Sequence, residues 1–172
     1  MSWSDTLRLS ACGLVLGLAG CGFQPLYGDH GVATDVAPQL ATVQVSQIGE
    51  RFGQLMTNQL HDSFNPHSLR VAAAYQLDVG VTENKSDIAD RADGTASRTN
   101  LSMIANWTLR RLSDGTIVTR GSVKAQTGHD VLVNEYANVV SGDTDEKQAV
   151  NECAEQIQTR VALYMQSLQA AK

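Results

Sequence analysis

Four consecutive residues, Leu18-Ala19-Gly20-Cys21, place a thiol where covalent chemistry can use it. They close an uncharged run, Leu9 to Ala19, that follows Arg8 and the terminal amine. At about 11 residues the run is too short to cross a bilayer, which takes about 20 apolar residues, but it suits the apolar core of a signal peptide. Small residues at Ala19 and Gly20 fit a peptidase cleft, so cleavage is expected between Gly20 and Cys21. Cys21 then offers its thiol for a diacylglycerol group and its new amine for an acyl chain such as palmitate. Each buried methylene contributes about 0.8 kcal/mol and stable anchoring takes more than one chain, so such a residue is an anchor rather than a span. The plainer alternative is an ordinary signal peptide with a cysteine at the cut by chance.

The remaining reactive residue types form no catalytic pattern. His30, His61, His67 and His129 are scattered; His61 and His67 are not spaced for one helix face, and no carboxylate joins them in a metal motif. They are expected to be solvated or to cap helices. Asp87, Asp90 and Asp93 are evenly spaced but lack the rest of a calcium loop, so they are expected to keep a hairpin tip soluble. There is no Gly-Xaa-Ser-Xaa-Gly elbow and no glycine-rich phosphate loop after a strand. No enzyme activity, metal or cofactor is expected, beyond the lipid groups on Cys21.

Behind a cleaved signal, roughly 150 residues remain, the size of one domain with a real core. The net charge of -5 gives no sequence-wide case for nucleic-acid binding. An anionic partner would have to meet a local basic patch. Cys12 leaves with the signal and Cys21 is committed, which leaves Cys153 without a disulfide partner. It is expected to be a small buried hydrophobe.

Periodicity supplies the elements. Gly22 to Pro38 is rich in turn formers and reads as a tether. Val43, Val45 and, less cleanly, Ile48 suggest a first strand within 40–48. Phe52, Leu55, Met56, Leu60 and Phe64 predict a helix over 50–64 that stops at Asn65-Pro66. Strict alternation from Val71 to Val81 predicts a half-buried strand. Leu101, Met103, Ala105, Trp107 and Leu109 repeat the pattern, and Val123 and Ala125 carry it into a fourth strand.

A three-residue loop, Ser113-Asp114-Gly115, sets Trp107 opposite Gly121, Ala105 opposite Val123 and Met103 opposite Ala125, which keeps one face apolar. The same loop at Ala92-Asp93-Gly94 opposes Val81 to Ala105, Val79 to Trp107 and Leu77 to Leu109. Near that turn the facing residues Glu83, Lys85, Asp87 and Thr99 are polar, so the hairpin tip should project beyond the core. After an irregular stretch from Val131 to Ser141, Asp143 and Glu146 are spaced as a capping pair for a helix reaching about Leu168. Its apolar stripe is Val150, Cys153, Ile157, Val161, Tyr164 and Leu168. The expected fold class is α+β: a two-layer sandwich in which a four-stranded, mostly antiparallel sheet is covered on one face by two helices.

In this register the polar sheet face sets Thr108 opposite Arg120, Asn106 opposite Ser122 and Ile104 opposite Lys124. Arg110 is close by and Arg98 further along. Arg98, Arg110, Arg120 and Lys124 are therefore candidates for binding phosphate or carboxylate groups, with Ile104 and Val118 compatible with an amphiphilic ligand. The alternative is a plain solvated face.

Cys21-Gly22-Phe23-Gln24-Pro25-Leu26-Tyr27-Gly28 resembles the mature N-terminus of the LPS-assembly lipoprotein family LptE (RlpB) in its alphaproteobacterial form. Ala92-Asp93-Gly94-Thr95-Ala96-Ser97-Arg98, Glu135-Tyr136-Ala137 and Thr159-Arg160-Val161-Ala162-Leu163-Tyr164 resemble further family segments in the same order. The resemblance implies a signal peptide over 1–20, a lipidated tether over 21–38 and one LptE-like domain over 39–172. It also implies a non-enzymatic lipoprotein anchored on the periplasmic face of the cell outer membrane. As implied partners, the β-barrel LptD would receive the protein in its lumen and lipopolysaccharide would be helped to the cell surface. Gly22, rather than aspartate, after the acylated cysteine favours the outer membrane by analogy with enteric sorting. Family members bind lipopolysaccharide through basic residues, but no position-by-position match is available, so the four cations above rest on sheet geometry. The rival from another class is a substrate-binding auxiliary lipoprotein of an ABC-type lipid transporter. A hydrolase is more remote, because no nucleophile and base can be named.

Overall fold

The structure, a computed structural model, describes residues 38–89 and 96–170. Its elements are β1 (Val43–Val45), α1 (Arg51–Phe64), β2 (Tyr75–Ala89), β3 (Ala96–Arg111), β4 (Ile117–Asp130) and α2 (Glu135–Ala170). The strands form one sheet in the order β1-β2-β3-β4. β1 runs parallel to β2, and the other two pairings are antiparallel. The sheet is thus mixed, because the connection from β1 to β2 passes through a helix rather than a hairpin.

Both hairpin registers match the sequence reading. Trp107 pairs with Gly121, Ala105 with Val123 and Met103 with Ala125. On the other side, Val81 pairs with Ala105, Val79 with Trp107 and Leu77 with Leu109. In the Ser113-Asp114-Gly115 turn, Gly115 takes a φ of 69°, a left-handed conformation that a side chain would disfavour. Asp114 accepts from the Thr116 backbone N–H at 3.1 Å, and this bond, with help from Arg111, holds its carboxyl below the usual range. A register shift between Leu109 and Arg110 leaves Val118 as the extra residue of a bulge. The Ala92-Asp93-Gly94 loop, Asp90, the Gly22–Pro38 tether apart from Pro38 itself, and Gly20 and Cys21 lie outside the described residues.

The apolar side chains of the sheet meet two helical stripes. Leu77, Leu101, Met103, Ala105, Trp107, Leu109, Val123 and Ala125 are buried, and so are Met56, Leu60 and Phe64 of α1. From α2 come Val150, Cys153, Ile157 and Val161, joined by Ala149, Ala154, Ala162 and Met165. Burying a side chain of this size is worth about 1.5–3 kcal/mol, so this shared layer is the main stabilising element. Gly53 permits the tight entry to α1, since a Cβ there would stand 2.7 Å from Ile48 Cγ2. Gly121 does the same beneath Trp107, where a Cβ would stand 2.9 Å from Cζ2 of the indole. Cys153 is fully buried with its Sγ 3.9 Å from the Met103 carbonyl, which fits the small hydrophobe expected of it.

Three expectations need correction. The second strand starts at Tyr75, not Val71: backbone pairing begins only at Ala74, whose N–H donates to the Thr42 carbonyl at 2.9 Å, and Val71 is 45% exposed and Ala73 exposed too. It also continues to Ala89, since backbone pairing with β3 persists where the apolar alternation has ended. The last helix begins at Glu135 rather than Asp143. Asn134 opens it, its Oδ1 accepting from the N–H groups of Tyr136 at 3.0 Å and Ala137 at 3.4 Å. Asp143 and Glu146 are consequently interior to the helix and act differently: both accept from Arg51 of α1, at 3.0 and 2.9 Å.

Candidate functional site: the open face of the sheet

Both helices cover the face that carries Met103 and Ala105, so alternation leaves the even-numbered side chains of β3 facing out. That face is mostly polar; Ile104, 39% exposed, interrupts it in the middle, and Ile88 and Ile117, paired with Arg98 and Arg110, do so toward its two ends. Lys124 is paired with Ile104, Ser122 with Asn106 and Arg120 with Thr108. Arg120 and Lys124 are four positions apart on β4, about 13 Å along the strand, with the Ser122 hydroxyl between them. Neither side chain has an ion-pair or hydrogen-bond partner among the described residues. Two uncommitted cations flanking hydroxyl and amide donors can hold anionic oxygens, and Ile104 adds an exposed aliphatic surface beside them.

The other two candidates are placed differently. Arg110 lies next along the same face, yet its Nε donates to Asp78 Oδ2 at 3.1 Å. Asp78 is itself held by the Ser46 hydroxyl and by Gln76 Nε2, so Arg110 belongs to a local network joining β1, β2 and β3. Arg98 is six positions from Ile104 on β3, about 20 Å away. It contacts Asp130 at 3.4 Å and Asn100 at 3.2 Å. The face therefore brings Arg120 and Lys124 together, leaves Arg110 neutralised beside them and separates Arg98.

Other charged contacts stitch the layers rather than build a site. His129 Nδ1 lies 2.7 Å from Asp145 Oδ2, so this histidine is neither solvated nor a cap. Asp87 accepts from the Thr99 hydroxyl at 2.7 Å across the first hairpin. Sequence reading missed a further feature: Tyr136 and Val139, in the first turns of α2, are 77% and 63% exposed, and Val133 just before them is wholly exposed. Asn134 followed by Glu135 was the available signal for that early helix start. Among the described residues no cluster of His, Cys, Asp and Glu could hold a metal ion, and no helix is long and apolar enough to cross a membrane.

The structure thus pairs an open, mostly polar sheet face, on which Arg120 and Lys124 of β4 are uncommitted among the described residues, with a two-helix layer on the other face. The chain belongs to the LptE family, lipopolysaccharide-assembly, whose sequence model matches residues 40–165. Solved structures agree on the fold. A candidate lipoprotein of Caulobacter crescentus CB15 superposes with a TM-score of 0.63 at 26% identity, covering 77% of this chain and 96% of its own. The minor lipoprotein of Acinetobacter baumannii gives a TM-score of 0.56 at 11% identity, over 72% of this chain and 92% of that one. Rare lipoprotein B of Shewanella oneidensis gives 0.56 at 12% identity, over 74% and 96%. No curated protein sequence is significantly similar to the chain.

Proposed function

We propose that this LptE-family protein is cut between Gly20 and Cys21, acylated at Cys21 and held on the periplasmic face of the outer membrane. There it acts without catalysis, plugging the β-barrel translocon LptD and assisting the insertion of lipopolysaccharide at the cell surface. Arg120 and Lys124 meet the phosphate or carboxylate groups of the lipid, Ile104 lies against its aliphatic part, and Arg110 and Arg98 contribute less because Asp78 and Asp130 already engage them. The observation that carries this reading is the family match over 40–165, which contains the whole open face and its two unpaired cations. The lipoprotein character of the structural neighbours supports the anchor. No cofactor takes part beyond the acyl and diacylglycerol groups.

Purification from detergent-solubilised envelopes tests the partner. Recovery with a large β-barrel protein is expected; recovery with an inner-membrane ABC transporter instead would overturn the assignment. The ligand is tested by lipopolysaccharide binding after Arg120→Glu and Lys124→Glu. A charge-assisted bond is worth about 1.5–3 kcal/mol, so roughly tenfold or greater weakening is expected, and unchanged affinity would sink the role given to these residues.

A further inference from the structure

The two outer strands of the sheet are unlike. β1 has three residues and offers little to pair with, whereas β4 has 14, from Ile117 to Asp130, and no proline. A long, uncovered edge is a template for a further strand. The ladder shows which of its backbone groups are free. The Leu112 N–H donates to the Ala74 carbonyl and the Arg111 N–H to the Thr116 carbonyl, so even-numbered residues of β3 bond toward β2 and odd-numbered ones toward β4. By register, Gly121, Val123, Ala125, Thr127 and His129 take up the odd set. The N–H and C=O groups of Arg120, Ser122, Lys124, Gln126, Gly128 and Asp130 therefore point away from the sheet. Among the described residues this row receives one bond from elsewhere, from Gln156 Nε2 to the Lys124 carbonyl at 3.3 Å. The side chains of the same row lie on the open face, since Val123 and Ala125 are buried beneath the helices.

A second β4 laid antiparallel along this row brings even-numbered residues opposite one another, and the position of the two-fold axis decides which charges meet. An axis at Arg120 or at Lys124 sets that cation opposite itself. An axis at Ser122 sets Arg120 opposite Lys124 twice. Like charges directly opposite are destabilising, so these registers are disfavoured. An axis at Ala125 instead sets Arg120 opposite Asp130, Ser122 opposite Gly128 and Lys124 opposite Gln126, each twice. It also uses the whole regular part of the strand, from just past the bulge at Val118 to the last residue. The Asp130 carboxylate is prepared for a second cation: Oδ1 faces Arg98 at 3.4 Å, and Oδ2 has no partner among the described residues.

We propose that the free edge of β4 is a docking surface for a second copy of this chain, with the two strands antiparallel about Ala125 and each Arg120 facing the other copy's Asp130. Two four-stranded sheets then become one continuous sheet. Six residue pairs, each exchanging both backbone bonds, give about twelve hydrogen bonds across the seam. Gln156 has to release the Lys124 carbonyl, a bond that water readily replaces at a half-exposed position. An interface made by strand edges is small, so the dimer is weak and depends on concentration. The open face stays exposed in it, and Lys124 stays uncommitted. The inference does not rest on the function given above, because it uses only the backbone row and the charges along it.

The test is sedimentation equilibrium of the full chain in density-matched detergent over a range of concentrations. A reversible monomer–dimer equilibrium is expected, with a dissociation constant on the order of 10 µM. Arg120→Glu and Asp130→Arg each set like charges opposite at both ends of the seam and should weaken the dimer at least about tenfold. The combined variant Arg120→Glu/Asp130→Arg restores opposite charges and should recover most of that loss. Gln126→Pro removes an N–H that points away from β3, a position where an edge strand tolerates proline, so it should abolish the dimer and keep the fold. A monomer at every concentration, a dimer indifferent to either single reversal, or no recovery in the combined variant would each overturn the proposal. The two charge reversals lie at exposed positions, so they decide the matter even if the proline variant fails to fold. None of these readouts uses lipopolysaccharide or the barrel, so this inference and the proposed function can fail separately.

Discussion

Nδ1 of His129 lies 2.7 Å from Oδ2 of Asp145, which ties the penultimate residue of β4 to the first buried residue of α2. Both side chains are mostly buried, 17% and 12% exposed, so the hydrogen bond is poorly replaced by water. Because an orphaned buried partner costs about 1–3 kcal/mol, His129→Ala or Asp145→Ala alone should each lower stability by about that amount. The double variant should cost less than the sum. Urea unfolding of all four proteins measures this; strictly additive losses would show that the pair is not coupled.

Arg51 makes the comparable tie between the helices, reaching Asp143 and Glu146 together. Glu146 is 6% exposed and its Oε1 has no hydrogen-bond partner among the described residues, so Arg51 is what makes its charge tolerable there. Arg51→Ala should therefore destabilise more than Arg51→Ala/Glu146→Leu, in which no buried carboxylate is stranded. Bonds from Lys147 and then Arg51 hold the Asp143 carboxyl below its ordinary value. Its contribution is present above the ordinary value of 3.8 and is lost as pH falls through the lower folded value. An acid titration of stability should show this loss shrink in Lys147→Ala.

Trp107 is the only tryptophan beyond residue 20, so its fluorescence reports on the core directly. Gly121→Ala would place a Cβ within 2.9 Å of the indole, and overpacking of this kind costs about 1–3 kcal/mol. A shifted emission maximum should accompany the loss. The indole Nε1 is buried without a partner among the described residues, so Trp107→Phe removes an unpaired donor and should cost less than the lost ring area alone would indicate.

Burial, with a lesser push from Glu152, raises the Cys153 thiol from 9.0 to about 11. Ellman's reagent should accordingly label it at the rate of global unfolding and not faster. The folded value lies above the unfolded one, so the associated stability is complete below pH 9.0 and declines as pH rises toward about 11. Rapid labelling of the native protein at neutral pH would contradict this.

The hairpin registers were legible because an apolar face tolerates one pairing: a slip of one residue would set Trp107 against Ser122 or Arg120. The start of α2 was not, since none of 135–144 is buried and apolar periodicity records only contact with a core. Val71 and Ala73 misled for the opposite reason, alternating as a strand does ahead of the point, Ala74, where backbone pairing begins. At the candidate site the cations could be placed on their face from the sequence. Which of them are free could not be, because Asp78 lies diagonally across from Arg110 and Asp130 directly across from Arg98, and their side chains were settled only by packing.

Helix α2 has 36 residues, about 54 Å of helix, and its first ten extend without a buried residue. Mechanically that is a cantilever: clamped along the sheet and α1, free at the end that carries Tyr136 and Val139. The clamp begins at Asp145 and Glu146, where His129 holds one side of the helix and Arg51 the other. Load applied to the free end is therefore delivered at the junction of β4, α1 and α2, so a contact made some 15 Å outside the core bears on the core itself.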